Sequence, residues 1–258
     1  MILKNKIALV FLISALTACG EAPFGNISDS SKDKETSSEP DFAVIEDVNQ
    51  KKQSFFDHLR PAVVQENKRV SEERDFLLKL KSKAESEKAI DSKQLVYATK
   101  LGNMYQLPLN SDSVTNDWLS LMLLRVDVLP EELVLSQAAN ESAWGTSRFA
   151  VDGNNYFGQW CYREGCGLVP ASRTEGFTHE VAVFDSAYQS VNAYFMNLNR
   201  NNAYTELRQI RAEQRTAGQT ITGTKLAEGL SRYSERGHEY IDEIQSMIRH
   251  NNKYWSQG

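Results

Sequence analysis

The chain has 258 residues, with 29 Lys and Arg against 34 Asp and Glu for a formal net charge of −5, 41% hydrophobic residues and 3 cysteines. That balance argues against a nucleic acid held through phosphate attraction, so a polymer ligand has to be gripped by hydrogen bonds and ring stacking. The residues beyond position 50 suffice for one domain that buries its own core.

Lys4 and Lys6 precede an apolar run from Ile7 to Leu16, which gives way to small residues before Cys19. The run is short for a membrane span and reads as a secretory leader over residues 1–18. Leu16-Thr17-Ala18-Cys19 resembles the lipobox of bacterial lipoproteins, whose cysteine becomes the lipidated first residue; the alternative is an ordinary leader with a chance cysteine. Lipid on Cys19 predicts a membrane-attached protein. Gly20, lacking the aspartate that resembles an inner-membrane retention signal, predicts the outer membrane of a two-membrane cell, facing the periplasm. Residues 19–50 follow as a flexible linker, because Gly20 to Asp41 is rich in serine and charge and cannot bury enough apolar surface to offset ordering.

From Lys51 the pattern is helical. Phe55, Phe56 and Leu59 form an apolar ridge before Pro61, and Val63 to Lys88 reads as an amphipathic helix whose charge run is a solvated face. Further helices are expected over Leu95–Leu107 and Asn116–Val126, so that residues 51–127 form a helical extension packing on the remainder, residues 128–258. Pro130 suits a first helical turn, Glu131 and Glu132 suit a helix N-terminus, and Gly145 suits a left-handed terminator, which predicts a helix running to about Trp144. On it Gln137, Glu141 and Trp144 share a face.

Between Asn154 and Phe184 the periodicity changes. Aromatic residues interleave with glycines and HEVAVF alternates, which predicts two or three short antiparallel strands. Export makes Cys161 and Cys166 a disulfide pair pinning that sheet. Zinc is the competing use, but the histidines His58, His179, His238 and His250 are scattered, so no metal is expected. Helices resume over Ala187–Leu198, Ala203–Ala217, Thr224–Ser234 and Glu239–His250.

A carboxyl group at a helix end, beside an indole and followed by an aromatic hairpin, suits acid catalysis on a glycoside. Desolvation keeps such an acid protonated near neutrality, ready to give its proton to the leaving oxygen, and the chemistry needs no cofactor. Trp144, Tyr156, Phe157 and Trp160 offer faces for sugar rings, and Asn155 and Gln159 offer partners for acetamido and hydroxyl groups. The bland alternative is a capped helix with aromatic core residues.

ANESAWGTSRFA, GNNYFGQWC, GCGLVP and YSERGHEY, together with RVD at Arg125 to Asp127 and LNRNNAY at Leu198 to Tyr204, resemble the Bax-type bacterial proteins, which carry a glucosaminidase domain of glycoside hydrolase family 73. The resemblance covers about Lys51 to Tyr254. It implies a lysozyme-like α+β fold, predominantly helical and two-lobed, with a small antiparallel β-hairpin lobe. It also implies peptidoglycan glycan strands as the partner and a cut at the β-1,4 bond after N-acetylglucosamine. By the resemblance the catalytic acid falls on Glu141, with Trp144, Asn155, Phe157 and the late cleft tyrosine Tyr233 beside it; Gln137, Tyr156, Gln159, Trp160 and Tyr240 are further candidates around the substrate, read from the residues themselves. The second carboxylate falls in the β-lobe, on Glu180 or Glu175. Tyr233 either orients substrate or water, or only packs the helical lobe. Muramidase or lytic transglycosylase action, a wall-binding lipoprotein with little catalysis, and cleavage of other N-acetylglucosamine glycans are the alternatives. The protein is expected to be a monomer.

Overall fold

The computed structural model describes residues 40–110, 113–170 and 178–255. A single helix, α1, runs through Val48–Glu85, opened by the Asp47 carboxylate accepting from the Gln50 amide at 2.7 Å. The apolar ridge before Pro61 and the helix read from Val63 onward are thus one element, with Pro61 inside it. Proline lacks the N–H that would reach the Asp57 carbonyl, but Asp57 and Pro61 both lie on the exposed face, where water replaces the lost partner.

The buried stripe of α1 runs Phe55, Phe56, Leu59, Val63, Val70, Leu77 and Leu80, each fully buried and each contributing about 1.5–3 kcal/mol of hydrophobic burial. Two carboxylates occupy gaps in that stripe, which corrects the reading of the charge run as a solvated face. Glu66 is 0% and Glu73 5% exposed. Burial of charge is tolerated only with partners, and Arg69 bridges the two acids. Asn192 donates to Glu66 at 2.9 Å and the Tyr105 hydroxyl donates to Glu73 at 2.6 Å. Burial pushes the Glu73 carboxyl up, against the pull of Tyr105 and Arg69.

Three helices lead to the site. Helix α2, Ser92–Met104, starts with a reciprocal cap between Asp91 and Gln94, and α3, Asn116–Arg125, starts from Thr115. Helix α4, Glu131–Glu141, begins after Pro130 and is buried along Leu133–Ala139. Helix α1 packs against both α3 and α4, so the segment expected as an extension shares one hydrophobic core with the rest.

Between α3 and α4, Asp127 is 2% exposed and is gripped by arginines from two helices. Arg215 donates to both carboxylate oxygens at 2.6 and 2.5 Å, and Arg74 of α1 lies 3.3 Å away. The guanidinium of Arg211, 1% exposed, reaches the Asp127 and Val128 carbonyls at 3.0 Å each.

The β-lobe follows a short helix, α5, Arg148–Gly153. Strands β1, Trp160–Cys161, β2, Gly167–Leu168, and β3, Glu180–Ala182, form an antiparallel sheet in the order β1-β3-β2, with Cys161 opposite Glu180 and Gly167 opposite Ala182. The expected α+β fold with a small antiparallel sheet is thus present.

Helix α6, Ala187–Arg200, and helix α7, Thr205–Thr216, flank a 3-10 turn at Asn202–Tyr204. The helix expected over Thr224–Ser234 is instead α8, Gly223–Leu226, and a 3-10 turn at Ala227–Leu230. Gly229 lies in that turn, where its bare α-carbon packs on the Leu207 backbone and leaves no room for a side chain. Helix α9, His238–His250, packs its Tyr240, Ile241, Ile244 and Ile248 face against the core, in contact with α4.

Candidate active site

Glu141 is the last residue of α4, three positions short of the expected helix end. Ser142 stops the helix. Its buried hydroxyl donates to the Ala138 carbonyl at 2.7 Å and accepts from the Gly145 amide at 2.9 Å. Ala143, Trp144 and Gly145 then follow in left-handed backbone, at φ 50°, 60° and 79°. Glycine adopts this freely, but each of the other two costs about 1–2 kcal/mol, so the surrounding contacts must enforce the turn.

The turn removes Trp144 from the face it was expected to share with Gln137 and Glu141. Its indole packs edge-on to Phe55 and Phe56 of α1, at centroid distances of 5.7 and 5.3 Å, with the Lys52 ammonium 5.1 Å over the ring. The other two residues do come together, through a third. The Tyr240 hydroxyl donates to Glu141 Oε1 at 2.7 Å, Gln137 Nε2 donates to that hydroxyl at 2.8 Å, and Tyr194 donates to Gln137 Oε1. A chain of neutral donors therefore ends on one carboxyl oxygen.

Burial raises the Glu141 carboxyl above the ordinary carboxylate range; the bonds from Tyr240 and Asn140 oppose the rise, and the charge of Glu243 adds to it. Tyr194, Tyr204 and Tyr233 are all pushed up, chiefly by burial, and in each the Glu141 charge adds to the shift. Two of those tyrosines, Tyr204 and Tyr233, line a cavity of about 720 Å³ between α6 and the β-lobe. Glu141 does not itself line that cavity; it connects to the wall through Tyr240, which bonds to Glu141 and stacks on Tyr233.

Phe157, Gln159 and Trp160 line the same cavity from the β-lobe side. Trp160 is 57% exposed and stacks on His179 at 4.1 Å, leaving its other face open; Tyr162, 75% exposed, stands beside it. Phe157 stacks on Tyr194 at 4.1 Å, and Tyr233 stacks on Tyr240 at 5.4 Å while its hydroxyl donates to the Phe157 carbonyl at 3.3 Å. Tyr233 both packs the lobe and faces the cleft.

Burial corrects several expected substrate contacts. Gln137 is 0% exposed and Tyr240 2%, so neither opens onto the cleft, and Tyr240 touches its wall through Tyr233. Tyr156, 1% exposed, turns its ring to Phe55 and its hydroxyl to His58 at 3.0 Å, which excludes sugar stacking. Asn155, also 1% exposed, donates to the Gln159 and Ala182 carbonyls at 2.9 and 2.8 Å and accepts from the Gln159 amide at 3.0 Å. It ties the start of the lobe to β3.

Glu180 is buried on the central strand, and its two oxygens accept from the Gly165 and Gly167 amides at 3.0 and 2.8 Å. Cys161 and Cys166 close the same loop with an S–S bond of 1.99 Å, so although they and Glu180 cluster within 4.8 Å, the sulfurs are committed to each other. Glu175 and Cys19 lie outside the described residues. Asn197, Arg200, Tyr204 and Arg232 line the cavity and were not singled out: Arg200 and Tyr204 stood in the LNRNNAY stretch, but only the packing shows which side of it faces the cleft.

Residues 120–253 match the glucosaminidase family, described as mannosyl-glycoprotein endo-beta-N-acetylglucosaminidase. Over 223 residues the chain is 30% identical to Protein bax of Escherichia coli (strain K12), an alignment covering 84% of this chain and 76% of that one. No solved structure matches. The matched segment holds Glu141, Tyr240, the disulfide loop and every cleft residue from Phe157 to Tyr233, and with it the chain belongs to the Bax-type glucosaminidase-domain proteins.

Proposed function

We propose that this chain is a peptidoglycan hydrolase, an endo-β-N-acetylglucosaminidase that cuts the β-1,4 bond after N-acetylglucosamine with Glu141 as general acid. The observation that carries this reading is the partly buried Glu141 carboxyl, raised by burial and held by the hydroxyl of Tyr240, whose ring stacks on Tyr233 in the wall of the cleft. A protonated carboxyl there gives its proton to the departing oxygen as the sugar acquires oxocarbenium character. Trp160 and Tyr162 offer faces for hexose rings, and Gln159 and Asn197 offer amides for acetamido groups.

Glu180 fits a brace for the loop better than a second acid, since both of its oxygens are turned onto loop amides. Among the described residues no carboxylate lines the cleft. That composition supports attack by the substrate's own acetamido oxygen, a recognised departure from two-carboxylate chemistry that retains the anomer. An inverted product would assign the second step to a base such as Glu175 and a water.

Purified protein should solubilise peptidoglycan and release fragments with N-acetylglucosamine at the reducing end, and Glu141→Gln should not. Muramic acid at the reducing end would identify a muramidase, and 1,6-anhydro ends a lytic transglycosylase. A second reading, a wall-binding lipoprotein with little catalysis, draws on the engaged oxygens of Glu180; sedimentation with peptidoglycan without new reducing ends would establish it. For the location, we propose lipid attachment at Cys19 and an outer-membrane, periplasm-facing position. Cys19→Ser should release the protein from the membrane fraction, and unchanged retention would refute the anchor.

A further inference from the structure

The left-handed turn after Glu141 is gripped from two sides. Trp144 is wedged on Phe55 and Phe56 of α1. On the other side Gly145 faces the ring of Phe42, a residue that precedes α1 in the segment entering the fold. Phe42 is 3% exposed and meets Phe55 and His58 edge-on at 5.5 and 5.7 Å. A Cβ at Gly145 would overlap the Phe42 ring edge and lie 3.2 Å from Phe55. The entering segment is itself folded: Asp41 accepts from the Ala43 amide at 3.0 Å, and Ile45 packs on the core.

We infer that Phe42 is a positioning residue for Glu141, and that residues 40–45 form a strap holding the strained turn in place. Ala143 and Trp144 adopt a backbone that L-residues avoid, and such a conformation persists only where packing over-determines it. Ala143 is exposed. The turn is therefore held by hydrogen bonds, from the Trp144 amide to the Ala139 carbonyl and from the Gly145 amide to the Ser142 hydroxyl, and by two packing contacts, Trp144 against α1 and Gly145 against Phe42. Without the Phe42 ring, residues 142–145 relax toward ordinary helix, which has no left-handed penalty, and the direction in which α4 delivers Glu141 to Tyr240 changes. Glu141 then gains water and loses the desolvation that raises its carboxyl.

The inference rests on the glycosidase reading for its kinetic test but not for its spectroscopic one. In the full chain acting on peptidoglycan, Phe42→Ala should lower kcat by about tenfold or more with KM changed less than about twofold, since small displacements of a reacting group carry losses of that order. The alkaline limb of the rate profile should move to lower pH. Phe42→Leu, which refills most of the space, should restore kcat to within roughly threefold of the parent. Should Phe42→Ala fail to fold, Phe42→Val serves in its place. Independently of activity, the Glu141 carboxyl carbon, assigned by its loss in Glu141→Gln, should titrate at lower pH in the Phe42 variant than in the parent. A Phe42 variant that stays folded with parental kcat and parental Glu141 titration overturns the inference. So does a kcat loss that only tracks the unfolded fraction measured by circular dichroism. A parent without activity but with a Phe42-dependent Glu141 titration would sink the glycosidase reading and leave the strap standing.

Discussion

Glu141 and Asp127 are both carboxyl groups drawn away from water, and their surroundings drive them in opposite directions. Burial raises each one. Around Asp127 the hydrogen bonds of Arg215 and the charges of Arg211 and Arg74 more than offset burial, so its carboxyl titrates below the ordinary range. Around Glu141 the partners are a phenol and an amide, neutral donors that only partly offset burial, so its carboxyl titrates above it. The first arrangement fixes a charge and ties α1, the α3–α4 connection and α7 together. The second keeps a proton available. Desolvation alone separates structure from chemistry poorly; the charge of the neighbours separates them well.

The largest expected effect is at Glu141, the proposed proton donor. Glu141→Gln keeps the side chain's shape and removes the transferable proton, so kcat on peptidoglycan should fall by about 10²–10⁴, the usual worth of general acid catalysis, with the melting temperature nearly unchanged. An equally severe loss from Asp127→Asn without any loss of stability would erase the contrast between the two carboxyls.

Asp127→Asn should act on folding. It leaves the buried Arg211 guanidinium with carbonyl and amide partners but no charge to balance it, and breaking a buried pair this way costs about 3–5 kcal/mol, readable as a lower denaturation midpoint. Its pH dependence has a definite sign. The folded carboxyl titrates below the unfolded value of about 3.9, so its stabilisation is complete above that pH and is lost as pH falls through the folded value. The asparagine variant should lack that acid-limb decline.

How much of this was legible in the sequence differs between the two carboxyls. Glu141 announced itself through the QAANESAWGTS string, and Asp127 stood in the RVD motif without any chemistry attached. Its ligands Arg74, Arg211 and Arg215 come from helices remote in sequence, and only the packing assembles them. The same limit hid Glu66 and Glu73: period alone reads charged residues as solvated, whereas the stripe of α1 buries them against Arg69 and Tyr105. Gly145 was recognised as a left-handed terminator, but the two left-handed residues before it were not, because nothing local in Ala143 or Trp144 favours that backbone. In the β-lobe, alternation and cysteine pairing found the sheet and the disulfide but not the direction of Asn155 and Tyr156, which turn inward.

Tyr240→Phe probes the neutral partner of Glu141 and should give a smaller effect. The hydroxyl bond favours the charged carboxylate, so its loss raises the Glu141 carboxyl further. A hydrogen bond to a charged group is worth about 1.5–3 kcal/mol, which corresponds to roughly a pH unit or more. Activity that requires the protonated acid declines as pH rises through its folded value, so the alkaline limb should move upward in the variant. A downward movement would show that Tyr240 raises the acid and would reverse its assigned role.

The smallest effect concerns the cleft's own charge. In a chain with net charge −5, the described lining of the cavity holds Arg200 and Arg232 and no acid. Arg200 donates to the Met104 carbonyl at 3.1 Å, while Arg232 is exposed. Peptidoglycan differs from a neutral N-acetylglucosamine polymer in the carboxylates of its lactyl and peptide branches, and an exposed ion pair with one of them contributes less than about 1 kcal/mol under salt screening. Arg232→Gln should therefore raise KM for peptidoglycan by about two- to fivefold at low salt and leave KM for chitooligosaccharides unchanged, with the difference closing as salt is added. Equal changes on both polymers would mean that Arg232 reads the sugar backbone and not the acidic branches.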